Sequence, residues 1–266
     1  MEKDKIFVEE SVDVAGVRLQ IRRGGSGNPL LILHGELGVP GWLNAYQSLA
    51  KDFTVYVPSL PGYGKSSAPD WLMTVRDMSV WVRWFVREYG LEVPLNVVGF
   101  SLGAWIAVEM ALSDPAVFRK MVLVGAMGLK PMKGEIFDYF MNSPEDAFIR
   151  SFHEPNRVPE FAKYYGKELL QQETEQIEVN REMTSRLTWR PYMHSLTLKG
   201  LLPAIITPTL LLWGQKDSIV PVDCCFQYQK AIPNTDIQII ENCGHMVEME
   251  KTIEFTTLIK NFLNYK

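Results

Sequence analysis

Histidine and cysteine are scarce in this 266-residue chain, at four and three residues, and the scarcity narrows the available chemistry. The cysteines, Cys224, Cys225 and Cys243, are odd in number with two adjacent. That spacing makes neither a disulfide framework nor the paired knuckles of a metal site. They read as buried reduced thiols, and no metal or cofactor is expected. A surplus of positive charge is missing as well, because 27 Lys and Arg stand against 31 Asp and Glu. Without a basic face, nucleic acid and anionic membrane surfaces are disfavoured as partners. The opening Met1-Glu2-Lys3-Asp4-Lys5 is charged and precedes only a short apolar piece. It has the pattern of neither a signal peptide nor a membrane span, so the expected location is cytoplasmic.

Nucleotide motifs fail on inspection. Pro61-Gly62-Tyr63-Gly64-Lys65-Ser66 contains Gly-Lys-Ser, but a phosphate-binding loop needs glycine five positions before Gly64, where Ser59 stands. The same stretch lacks the third glycine of a dinucleotide fingerprint and does not open a βαβ unit. No internal repeat, low-complexity tract or long linker is present. What remains, 47% hydrophobic and 22% charged, describes one ordinary globular domain or a domain carrying a large insertion.

The β pattern is regular. Residues 6–8 and 14–21, broken at Ala15-Gly16, read as an antiparallel edge pair. Leu30-Leu31-Ile32-Leu33, Val55-Tyr56-Val57, residues 95–98, 120–124, 209–213 and 236–240 are short apolar runs of the kind buried on both faces of a parallel sheet. Between them, residues 71–89 repeat apolar side chains at helical spacing through Val75, Met78, Val82, Phe85, Val86 and Tyr89. Helices also follow at 102–112, 222–232 and 253–262. Alternation of this kind implies a mostly parallel sheet with helices on both faces. Residues 131–200 break the rhythm: no strand-like run occurs, and aromatic residues such as Phe137, Tyr139, Phe148, Trp189 and Tyr192 mix with polar ones. This reads as a helical insertion.

Chemistry concentrates at Gly99-Phe100-Ser101-Leu102-Gly103, a G-x-S-x-G between an apolar strand and a helix. So tight a turn requires glycine on both sides and exposes the serine at the positive end of the helix. A serine hydroxyl is a weak nucleophile and needs a neighbouring base. His245, in Cys243-Gly244-His245 after the last strand, and Asp217, in Trp213-Gly214-Gln215-Lys216-Asp217 after the preceding one, stand at the ends where the serine also emerges.

The chain order Ser101, Asp217, His245, together with His34-Gly35 after the third strand, resembles the α/β-hydrolase fold. The resemblance covers nearly the whole chain. It implies an eight-stranded, mostly parallel sheet with a helical cap after the sixth strand, the core formed by residues 1–130 and 201–266 and the cap by 131–200. It further implies that Ser101, Asp217 and His245 form a catalytic triad, and that the backbone N–H groups of Glu36 and Leu102 form an oxyanion hole. Glu36 is an awkward choice there. Its carboxylate opposes developing negative charge unless it turns away or pairs with a cation. His34 is expected to bond backbone groups of its loop and Arg190 to lie at the surface. Phe100, Trp189, Tyr192 and Met246 are the expected substrate contacts.

The function expected from these features is a serine hydrolase cleaving a small or medium carboxylic ester, or a related small-molecule acyl substrate, through an acyl-enzyme. Carbon–carbon bond hydrolysis of a vinylogous diketone is the alternative, although such enzymes carry His-Gly-x-Gly-Pro-Gly and a tryptophan after the histidine. This chain has His34-Gly35-Glu36-Leu37-Gly38 and Met246. Ser101 itself argues against epoxide and haloalkane chemistry, which needs aspartate at the elbow, and Leu102 stands where perhydrolases carry methionine. A ligand receptor of the same fold with little turnover is a further alternative. The sequence does not fix an oligomeric state.

Overall fold

A computed structural model describes residues 7–166 and 174–264. Ile6 of the expected first strand and residues 167–173 of the expected insertion lie outside the described residues. Eight strands form one sheet: β1 (Phe7–Val14), β2 (Val17–Gly24), β3 (Asn28–Leu33), β4 (Phe53–Pro58), β5 (Leu95–Phe100), β6 (Phe118–Val124), β7 (Thr209–Gly214) and β8 (Thr235–Ile240), in the order β1-β2-β4-β3-β5-β6-β7-β8. β1 and β2 are antiparallel to each other, and β2 is antiparallel to β4. The pairings from β4 to β8 are parallel. Ala15 and Gly16 both take positive φ in the β1–β2 turn, the conformation that matches the twist of a two-residue hairpin.

The central strands are apolar on both faces, and successive residues feed two cores. Leu31, Leu33, Val97, Leu123, Leu211 and Trp213 pack on one side. Their neighbours Leu30, Ile32, Val98, Val122, Leu210 and Leu212 pack on the other, as the two-residue strand period requires. Helices α1 (Asn44–Leu49), α2 (Val75–Glu88), α3 (Leu102–Ser113), α7 (Asp223–Ala231) and α8 (Thr252–Asn264) cover these faces. α2, α3 and α7 sit over the first core, α1 and α8 over the second. α2 begins at Val75 instead of position 71, because Thr74 and Asp77 form a reciprocal capping box there. α1 is only six residues long, too short to show a helical period in the sequence.

Between β6 and β7 the described residues form helices and no strand: α4 (Pro144–Arg150), α5 (Pro159–Tyr165) and α6 (Thr174–Thr188), with an isolated bridge from Gly128 to His194. Cys224, Cys225 and Cys243 are free and buried, and burial pushes the Cys224 thiol up to about 12. No helix among the described residues is long and apolar enough to cross a membrane.

Candidate active site

β5 delivers Ser101 to a turn that only this local sequence accommodates. Ser101 adopts φ 50° and ψ −109°, a sparsely populated backbone state that costs on the order of 1–3 kcal/mol. A Cβ on Gly103 would come within 2.1 Å of the Leu33 carbonyl oxygen, and one on Gly99 within 2.6 Å of Ala104 Cα. Both glycines therefore mark places where backbone meets backbone. The Ser101 N–H is tied to the Val124 carbonyl at 2.8 Å. Its hydroxyl is buried and makes no hydrogen bond among the described residues.

The loops after β7 and β8 bring Asp217 and His245 together. Asp217 Oδ1 accepts the N–H groups of Ile219 and Val220, both at 2.9 Å. That fixes the carboxylate so that Oδ2 lies 2.8 Å from His245 Nδ1. The partner of Nδ1 leaves Nε2 as the ring nitrogen free to take a proton. Burial works against the imidazolium, but the charge and hydrogen bond of Asp217, helped by Glu36 and Glu248, outweigh it and raise His245 to about 9. The His245 and Met246 N–H groups both donate to the Ser151 carbonyl, at 2.8 and 3.0 Å, so the end of α4 holds this loop in place.

The β3 loop passes close beside the serine: a Cβ on Gly35 would lie 3.2 Å from Ser101 Cβ. The next N–H, that of Glu36, and the N–H of Leu102 donate to no other backbone group among the described residues. Leu102 is the first residue of α3, where free N–H groups and the helix dipole favour an anion. His34 fills a structural position. Its Nε2 accepts the Leu60 N–H at 2.9 Å, so the proton resides on Nδ1, which donates to the Gly35 carbonyl at 2.7 Å. Burial lowers its pKa to about 4 and keeps the ring neutral.

Among the described residues Glu36 pairs with no Lys or Arg. Its side chain is buried, Oε1 accepts the hydroxyl of Tyr139, and Oε2 has no partner. Burial first, and Glu36 second, push the Tyr139 hydroxyl well above its ordinary value, so it remains a donor. Thr184 and Asn180 of α6 donate to the Glu36 and Leu37 carbonyls, at 2.8 and 2.9 Å.

A narrow cleft lies over the serine, lined among others by Ser101, His245, Glu36, Glu248, Phe100 and Met246. Of the four expected substrate contacts, Phe100 and Met246 line this cleft. Trp189 and Tyr192 do not line this cleft. Trp189 is 56% exposed and leans on Phe140, while the Tyr192 hydroxyl donates to the Phe137 carbonyl and accepts the Tyr139 N–H. Their aromatic bulk holds the insertion's own chain together. Arg190 is exposed. Sequence reasoning missed Glu248, a buried carboxylate whose only signal was a charge between the apolar Val247 and Met249.

The family model of the alpha/beta hydrolase family matches residues 30–255. Over 279 residues the chain is 26% identical to 2-hydroxymuconate semialdehyde hydrolase of Pseudomonas sp. (strain CF600), covering 96% of this chain and 94% of that protein. The crystal structure of a membrane phospholipase A superposes with a TM-score of 0.84 at 26% identity, covering 97% of this chain and 86% of that one. The meta-cleavage product hydrolase from Pseudomonas fluorescens IP01 superposes with a TM-score of 0.81 at 20% identity, covering 96% and 97% of the two chains, a likeness of fold alone. With the match spanning the sheet from β3 to α8, the chain belongs to the alpha/beta hydrolase family.

Proposed function

We propose that this protein is a serine hydrolase of small or medium carboxylic esters. Ser101 Oγ attacks the carbonyl carbon while His245 Nε2 takes the hydroxyl proton, and Asp217 keeps Nδ1 protonated and stabilises the resulting cation. The tetrahedral oxygen gains its charge between the N–H groups of Leu102 and Glu36. His245 then returns the proton to the departing alcohol, leaving an acyl-serine. Water, deprotonated by the same nitrogen, releases the acid and restores the enzyme. The observation that carries this reading is the 2.8 Å bond between Asp217 and His245, with His245 lining one cleft together with a serine held at a strained elbow.

Carbon–carbon bond hydrolysis is the second reading, favoured by the relative named for 2-hydroxymuconate semialdehyde. Against it stand the chemistry of the cleft and its loop. Among the described residues lining the cleft there is no Arg or Lys to meet an acid substrate, two buried acidic residues line it instead, and Leu37 and Met246 depart from the motifs of such enzymes. A series of p-nitrophenyl esters of increasing chain length, run beside a ring-fission dienoate, separates the two. Ester turnover with stoichiometric fluorophosphonate labelling of Ser101 supports the proposal. Cleavage of the dienoate alone overturns it, and labelling without turnover of either points to a receptor.

A further inference from the structure

The loop that carries His245 is held from two sides, and the triad accounts for only one of them. On the inner side the loops after β7 and β8 meet directly: the Lys216 N–H donates to the Cys243 carbonyl at 2.8 Å, and a Cβ on Gly214 would collide with the Gly244 carbonyl oxygen. On the outer side Gly244 lies against the insertion, since a Cβ there would come within 2.7 Å of the His153 nitrogen and 2.8 Å of the Ser151 carbonyl oxygen. One carboxylate spans that contact. Glu250 closes the single helical turn Val247–Glu250 that follows the histidine. Its Oε1 accepts the His153 and Glu154 N–H groups at 2.6 and 3.1 Å, and its Oε2 accepts the N–H of buried Gly244, the residue before His245. Hydrogen bonds to an ionised acceptor are about twice as strong as neutral ones, so three of them make a firm joint between two distant segments of the chain.

We infer that Glu250 is a positioning residue for His245, joining the insertion at residues 153–154 to the loop that carries the base and so fixing where the imidazole stands. For the reaction served this rests on the hydrolase reading; for the placement it rests on these bonds alone. The joint runs in both directions, because the Ser151 carbonyl receives the N–H groups of His245 and Met246 while Glu250 receives those of His153 and Glu154. Glu250 is not among the described residues lining the cleft; it acts through the backbone of Gly244. An amide at this position offers one acceptor oxygen where two are needed and turns its NH₂ toward an N–H. One side of the joint is then released, and the 2.8 Å bond from His245 to Asp217 loosens. His245 faces the carboxylates of Asp217, Glu36 and Glu248, and burial opposes its cation, so a loosened Asp217 bond lowers the pH at which it takes up a proton.

The test is Glu250→Gln, assayed beside wild type on p-nitrophenyl acetate across pH. In the variant kcat should fall at least about tenfold, since small misplacements of a catalytic group are expensive, with KM within about twofold of wild type. The acid limb of the profile should move to lower pH, and fluorophosphonate labelling of Ser101 should slow in step with kcat. A role in stability alone lowers Tm and changes none of these. A fall in kcat of less than about tenfold, or one that leaves the acid limb in place, overturns the inference. Glu250→Asp keeps the charge but is too short to reach both segments, and it carries the same test, with the same criteria, if Glu250→Gln does not fold. Failure of the hydrolase reading shows itself differently, as wild-type protein that turns over no ester. Titration of the His245 ring nitrogens by NMR then decides the placement: an imidazole that deprotonates at lower pH in the variant upholds the inference, and one that titrates as in wild type overturns it.

Discussion

Gly125, immediately after β6, offers the sharpest test of how the dyad is held. It has φ +53°, and a Cβ there would come within 2.8 Å of His245 Cε1, 2.9 Å of Nδ1 and 3.4 Å of Asp217 Oδ2. Gly125→Ala therefore carries two penalties. The left-handed backbone costs an L-residue about 1–2 kcal/mol, which at about 2–4 °C per kcal/mol in a protein of this size lowers Tm by about 2–8 °C. The second penalty falls on geometry: ordinary contact begins at 3.4 Å, so the imidazole must retreat by 0.6 Å (3.4 less 2.8). Its 2.8 Å bond to Asp217 has only about 0.4 Å to spare before leaving the normal range for N–H···O. Misplacement on this scale costs about a hundredfold in catalysis. Steady-state hydrolysis of a p-nitrophenyl ester should show that loss in kcat with KM little changed, since Gly125 does not line the cleft. With Asp217 displaced, burial dominates at His245, and the acid limb of the pH profile moves to lower pH. A variant that shows the Tm drop yet retains kcat within about threefold would refute the reasoning, because the dyad would then tolerate the methyl.

Ser101→Ala should fold normally, by circular dichroism, and lose at least about a thousandfold in ester turnover together with all fluorophosphonate labelling. Asp217→Asn should keep the fold and cost on the order of ten-thousandfold, because it reverses the tautomer His245 prefers; a retained rate in kinetic assays would redirect the role to another carboxylate. His245 must be neutral to accept a proton, so kcat/KM should rise with pH through about 9. The stability given by its pairing with Asp217 is fully present below the unfolded value of about 6.5 and is lost as pH climbs through about 9; urea unfolding across that window checks the sign. Tyr139→Phe should lower stability by about 1–3 kcal/mol in denaturant unfolding, since it strips a buried carboxylate of its donor. An unchanged midpoint would mean that Glu36 finds another partner.

The parts of the site that sit at strand ends are legible in the sequence. Apolar runs announce β5, β7 and β8, and Ser101, Asp217 and His245 each follow one of them within a short loop, so their meeting is a consequence of parallel order. The contributions from the insertion are not legible in this way. Tyr139 and Thr184 reach the β3 loop from 103 and 148 residues away, and nothing periodic in the sequence encodes that meeting. Trp189 illustrates the opposite failure. A large aromatic near the return to β7 looks like a pocket wall, yet its ring is half in solvent because Phe140 and Tyr192 already satisfy that part of the insertion. Glu248 is invisible for a third reason: one charge among apolar neighbours is ordinary on a helix, and only the fold shows that it has no route to water.

The bonds from α6 to the carbonyls of Glu36 and Leu37 bear on how this protein diversifies. The peptide whose carbonyl Thr184 holds adjoins the one whose N–H would face the oxyanion, and Asn180 also grips Gly64 at 3.0 Å. Rate enhancement and substrate preference are consequently not separable modules. Grafting another enzyme's insertion onto this sheet would transplant a new pocket while cutting the tethers of the β3 loop. Recombination at the insertion's borders should therefore yield mostly slow catalysts, and natural drift in specificity should proceed by single exchanges inside the cleft that leave Asn180 and Thr184 in place.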